Sequence, residues 1–230
     1  LAPEMTAKAL HKVVEHHDAL RMVYRFEGER IGQYNRGLTE GDLFTITVRQ
    51  VPAGMDGRRV AQEEGNKLQN SMDLSAGPLV KAALIQEGTT SYLALVIHHL
   101  VVDGVSWKVI LEDLATAYSQ LTKGETVELP PKSDAYQTWA AHLAEYASSR
   151  RLLKEIPYWQ AVESEAVPPL PVDHPEAGPS TLRDGAQKTF TLNRERTGQL
   201  LREANQAYHT EIEDQLLTGL GLAMRQWAGL

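Results

Sequence analysis

The sequence predicts a mixed α/β lobe over residues 1–165, a connector over 166–186 and the beginning of a second lobe over 187–230. Three observations predict it. Amphipathic segments with apolar residues at helical spacing interleave with short runs of strand pattern. The run Tyr92–Ile97 is nearly all apolar, as expected of a strand covered on both faces. Residues 163–186 hold five prolines and little periodicity, which marks a long connector.

In chain order, Met5, Ala9, Leu10, Val13, Val14 and His17 recur at helical spacing and predict a helix over 4–17. Residues 20–27 alternate, with Leu20, Met22, Tyr24 and Phe26 on one face, and predict a half-buried strand. A strand over 43–51 and a helix over 58–71 follow. Gly77-Pro78 punctuates the chain before strands at 79–86 and 91–98, split by Glu87-Gly88-Thr89-Thr90. Residues 106–121 predict a helix with Ser106 as its N-cap and Val109, Ile110, Leu114, Ala117 and Leu121 inward. Helices are expected at 134–148, with Trp139, Leu143 and Tyr146 on one face, and at 151–162. Past the connector come a short strand at 187–193 and helices at 194–208 and 211–228.

Composition narrows the function classes. With 42% hydrophobic and 23% charged residues, the chain has the make-up of a globular protein, and 230 residues can bury a full core. A net charge of −7 argues against a nucleic-acid partner, because phosphate binding needs a basic surface. The short basic pairs Arg58-Arg59 and Arg150-Arg151 read as solvated helix faces. There are no cysteines, which excludes disulfides, thiolate metal sites and cysteine nucleophiles. No apolar stretch reaches membrane-spanning length and no signal peptide is visible. No membrane partner is therefore expected, and the expected location is the cytoplasm. The chain starts at Leu1 on a helical pattern and ends at Leu230 just after another, so both ends are expected to continue in something longer.

One segment stands out chemically. His98-His99-Leu100-Val101-Val102-Asp103-Gly104 lies where a buried strand gives way to a helix, a place where rigid elements can fix a reactive loop. A histidine there exchanges a proton near neutral pH, Asp103 could hold the loop or orient the ring, and Gly104 permits a tight turn. Three readings fit the spacing. The histidines simply end a strand; or His99 and Asp103 share a metal with a third ligand that the sequence does not point to; or one histidine is a general base beside a structural Asp103. Spacing alone leaves all three open.

The string His98-His99-x-x-x-Asp103-Gly104 resembles the HHxxxDG motif of the condensation-domain superfamily of nonribosomal peptide synthetases. His16-His17-Asp18-Ala19-Leu20-Arg21-Met22 resembles that superfamily's upstream motif, so the likeness runs over nearly the whole chain. Within the superfamily, Asp103-Gly104-Val105-Ser106-Trp107 followed by Ile110-Leu111-Glu112-Asp113-Leu114 is similar to the epimerization branch. Leu129-Pro130-Pro131-Lys132, Trp139-Ala140 and Tyr146-Ala147 look like that branch too. So does Ala207-Tyr208-His209-Thr210-Glu211-Ile212 running into Asp214-Gln215-Leu216-Leu217-Thr218.

The resemblance implies a chloramphenicol-acetyltransferase-like lobe, a mixed sheet flanked by helices, and the start of a second similar lobe. It implies inversion of the α-carbon of an aminoacyl or peptidyl thioester, delivered on the phosphopantetheine arm of a peptidyl carrier protein, with no directly bound cofactor or metal. The partners it implies are that carrier, neighbouring synthetase domains and the rest of the second lobe. His99 becomes one of two proton-transfer groups, His98 a structural ring, and Asp103 a loop pin for which Arg21 is the expected ion-pair partner. The opposing group in this branch is a glutamate in an EGHGRE-like motif, expected beyond Leu230; Glu211 and Glu213 do not match it. The fragment alone is expected to be inactive and to expose the apolar face of its last helices.

Three alternatives remain on the sequence: a condensation domain that forms a peptide bond with the same histidine, a catalytically silent carrier-binding module, and a trimeric acetyltransferase. The last fits least, because its HxxxDG motif lies near the C-terminus, whereas here it is central.

Overall fold

A computed structural model describes residues 1–229 apart from 168, 176 and 177. The chain forms two compact units, Leu1–Lys154 and Glu155–Leu230. The first unit ends before the helix at Ile156, whereas the sequence pattern put the end of the first lobe at 165. Positions 168, 176 and 177 of the expected connector lie outside the described residues.

The first unit opens with α1 (Pro3–His16), which has Pro3 in its first turn and buries Thr6, Ala9, Leu10, Val13 and Val14. A single 3-10 turn, Asp18–Arg21, leads into β1 (Met22–Glu27). β1 pairs antiparallel with β2 (Arg30–Asn35), a strand that the sequence pattern missed. Then come β3 (Thr45–Gln50), α2 (Gly57–Asn70), β4 (Val80–Glu87), β5 (Thr90–Ile97) and α3 (Gly104–Thr122). β3 and β4 run parallel, and β4 and β5 antiparallel, so the sheet is mixed. The parallel step needs a crossover, and α2 supplies it.

Alternation along β4 divides the core between the two faces of this sheet. Leu79, Val80 and Ala82 join Leu10, Val13 and Val14 of α1 with Ile110, Leu114 and Ala117 of α3 in the larger cluster. Ala83 and Ile85 face the other way, onto Val60 of α2. Helices therefore cover both faces of β4, and its stretch Ala82–Ile85 is fully buried. β5 differs from expectation. Tyr92–Val96 is only half-buried, because among the described residues β5 pairs with β4 alone and forms the sheet's edge.

The unit closes with α4 (Tyr136–Ala147) and α5 (Arg150–Leu153). The expected single helix at 151–162 is split, with α6 (Ile156–Ser164) starting afresh in the second unit. Pro157 explains the break: it has no N–H to donate to a carbonyl of the preceding turn, so it interrupts a continuous helix and sits in the first turn of α6. The apolar stripe of α4 packs less than its spacing implied, with Trp139 and Leu143 exposed.

The second unit continues with a 3-10 turn at Leu182–Asp184, closed by a capping box between Thr181 and Asp184. No strand forms at 187–193 among the described residues, and Phe190 is exposed. With no neighbouring strand among the described residues to pair with, an extended segment there has no ladder for its N–H and C=O groups. The helix expected at 194–208 is α7 (Arg194–Gly198), a π-helical stretch at Gln199–Ala204 and α8 (Asn205–Tyr208). His209, in left-handed backbone at φ 52°, ends it. α9 (Ile212–Ala228) follows and leaves Leu216, Leu217, Leu220 and Trp227 exposed.

Candidate active site

β5 delivers His98 and His99 to the mouth of the first unit. The N–H of His98 donates to the Leu79 carbonyl at 3.0 Å, continuing the ladder with the start of β4. The chain then turns sharply, with the Val101 N–H on the His98 carbonyl at 2.9 Å and the Leu100 N–H on His98 Nδ1 at 3.2 Å. His98 is thus half-buried, its Nδ1 engaged as an acceptor inside its own turn. His99 is exposed and lines two cavities. One, of about 250 Å³, also includes Met22, Asp103, Ser106 and Tyr136. The other, of about 700 Å³, is a groove along β5 and α2 that includes His98 and Trp107.

Asp103 is the N-cap of α3. Its Oδ1 accepts the Ser106 N–H at 2.7 Å and the Ser106 hydroxyl at 2.6 Å. The hydroxyl and N–H of Ser106 hold the Asp103 carboxyl below its ordinary value of 3.8, with smaller contributions from the Val105 N–H and the nearby His99. Ser106, read from sequence as the cap, instead sits in the first turn and is held by the cap.

The expected ion pair between Asp103 and Arg21 is not formed among the described residues. The Arg21 guanidinium donates to the carbonyls of Val14, Glu15 and Arg36, at 2.7, 2.8 and 3.1 Å. It closes the end of α1 and ties β2's exit to it, while Asp103 is satisfied three residues away. Gly104 also has a different role from the one expected. It is the first residue of α3, it lacks a positive φ, and a Cβ there would meet nothing within 4 Å.

Two features escaped the sequence reading. The Tyr24 hydroxyl, on β1, donates to the Leu100 carbonyl at 2.9 Å, and burial, aided by Tyr136, raises it above its ordinary value of 10.0. The inward alternation of 20–27 was the available signal, but nothing in it named the partner. The second is the bond from His17 Nε2 to Asp113 Oδ2 at 2.7 Å, which links the end of α1 to α3.

A mixed sheet with helices on both faces, whose half-buried edge strand leads into a His-His turn and then an aspartate-capped helix, is the arrangement to compare with known proteins. The family model described as "Condensation domain" matches residues 1–230, and the chain belongs to that family. Tyrocidine synthase 1 of Brevibacillus parabrevis is 44% identical over 229 residues, 99% of this chain but 21% of that synthase. Among solved structures, the epimerization domain from the third module of tyrocidine synthetase B superposes with a TM-score of 0.89 at 39% identity. The match covers 100% of this chain and 52% of that one. The starter condensation domain of the rhizomide synthetase matches with a TM-score of 0.59 at 22% identity, over 70% of this chain and 39% of its own, a likeness of fold alone. The chain is thus a condensation-superfamily domain of nonribosomal peptide synthetase type, spanning about half of the epimerization domain it matches.

Proposed function

We propose that this chain is part of an epimerization domain, inverting the α-carbon of an aminoacyl or peptidyl group held as a thioester on a carrier protein's phosphopantetheine arm. The observation that carries the reading is the 39% identity with an epimerization domain along the whole chain, against 22% over 70% of it for a condensation domain.

The chemistry asks little of the protein beyond placement. A thioester carbonyl accepts the electron pair released when the α-hydrogen leaves, so a base of near-neutral pKa beside that carbon suffices. His99, exposed and bordering both the small cavity and the β5 groove, is that base in one direction and the acid in the other. Inversion also needs a second group or a water on the opposite face of the carbon, to return the proton there. His98 and Asp103 are positioning residues. The first closes the turn on which His99 sits, and the second anchors the far side of the loop to α3.

The test uses the full-length protein and an α-deuterated aminoacyl group on its carrier. Loss of deuterium to solvent, with D-configured product and no new amide bond, is expected. His99→Ala lowers that rate about 10²–10⁴-fold, the usual contribution of a general acid–base group. Amide formation with the deuterium retained would make the domain a condensation catalyst. Carrier binding with no dependence on His99 would make it a docking module.

A further inference from the structure

Outside the loop just described, the described residues contain one group of side chains with the composition of a metal site. His16, His17 and Asp113 each offer one ligand atom, and these atoms all lie within 4.8 Å of one another. His16 is the last residue of α1, His17 its C-cap, and Asp113 lies in the middle of α3. Asp113 is 5% exposed, a carboxylate buried in the company of Ile110 and Leu114. Its Oδ2 meets His17 Nε2, and the rings of His16 and His17 stand edge to face with centroids 4.9 Å apart.

We propose that His16, His17 and Asp113 form a three-ligand site for a divalent transition metal, zinc being the best match. Two imidazoles and one carboxylate, with a fourth position open to water, are a donor set that zinc accepts in tetrahedral geometry. Zinc–ligand distances of about 2.0–2.2 Å put tetrahedral donors roughly 3.3 Å apart. The His17–Asp113 pair at 2.7 Å has to open by about half an ångström, and no pair has to close by more than about 1.5 Å. Side-chain torsions of His16 and His17 supply both movements.

The surroundings suit a cation. The three residues line a pocket of about 540 Å³, large enough for an ion and its water. Asp103 and Glu112 add negative charge to the same walls, and the pocket's lysine, Lys132, is paired with Asp18 at 3.1 Å. Bound there, the metal would fasten the end of α1 to α3 behind Asp103. The site is independent of the proposed epimerization.

The experiment measures zinc binding by calorimetry, and Co²⁺ absorption as a geometry probe, on the full-length protein. One zinc equivalent is expected to disappear in Asp113→Asn. His16→Asn should weaken that equivalent at least 10-fold, and it leaves the His17–Asp113 bond in place, so the fold is not at stake. A tetrahedral Co²⁺ spectrum in the wild type should be lost in both variants. Zinc stoichiometry and affinity unchanged in His16→Asn, or no saturable binding in the wild type, would overturn the proposal.

Discussion

The Tyr24 hydroxyl on β1 donates to the carbonyl of Leu100, the residue directly after His99. A strand far away in sequence therefore holds the turn that carries the proposed base. Burial raises this hydroxyl above its ordinary value of 10.0, so it remains a protonated donor through neutral pH.

Tyr24→Phe removes that bond alone. It should cost about 0.5–1.5 kcal/mol of stability in denaturant unfolding. The deuterium-exchange rate should fall with little change in KM, since the ring leaves substrate contacts untouched. An unchanged turnover would show that Leu100 needs no such anchor.

Asp103 predicts a pH signature. Its carboxyl is more acidic in the folded chain than in the unfolded one, so the stability it gives is fully present above its ordinary value of 3.8. It is lost as pH falls through the lower folded value. Asp103→Ala should be less stable than wild type at neutral pH, with the gap narrowing only in strong acid. Asp103→Asn, still a competent cap, should retain most of the stability. Urea unfolding across pH checks this, and a gap constant down to the most acidic point would refute it.

Arg21 and Asp103 should behave as strangers. Arg21→Ala removes three carbonyl contacts and should cost about 1.5–3 kcal/mol. Lysine should not restore it, because one ammonium cannot present the guanidinium's planar fork. In a double-mutant cycle with Asp103→Ala the two effects should add. Clear coupling would revive the ion pair expected from sequence.

Leu84 on β4 is fully buried between two helical layers. Leu84→Ala should cost about 2–5 kcal/mol, read as a lower denaturation midpoint with unchanged slope. A loss under 1 kcal/mol would mean that the sheet is not the centre of the core.

Where burial was strongly periodic, the sequence was readable. α1, α2, α3, β4 and β5 each lie within a few residues of their predicted bounds, because each packs on a continuous core. β2 was missed because it is almost wholly exposed and shows no apolar face. Its available signal was the two-residue turn Gly28-Glu29, with Gly28 at φ 62°. The 187–193 strand failed for the opposite reason, since alternation is present and, among the described residues, a pairing neighbour is not. At the site, the residue types and their spacing were legible, but their partners were not. A cap to Ser106, three residues away, competes with any distant arginine, and no pattern in a single sequence ranks the two.

Capping of α3 by Asp103 fixes the charge that stands beside His99. A bare helix N-terminus attracts anions, and here that seat already holds a carboxylate. A thioester is uncharged and meets no repulsion on approach. On the proposed function, a free amino acid or peptide would bring its own carboxylate toward Asp103 and meet a repulsion that solvent weakens at this exposed residue.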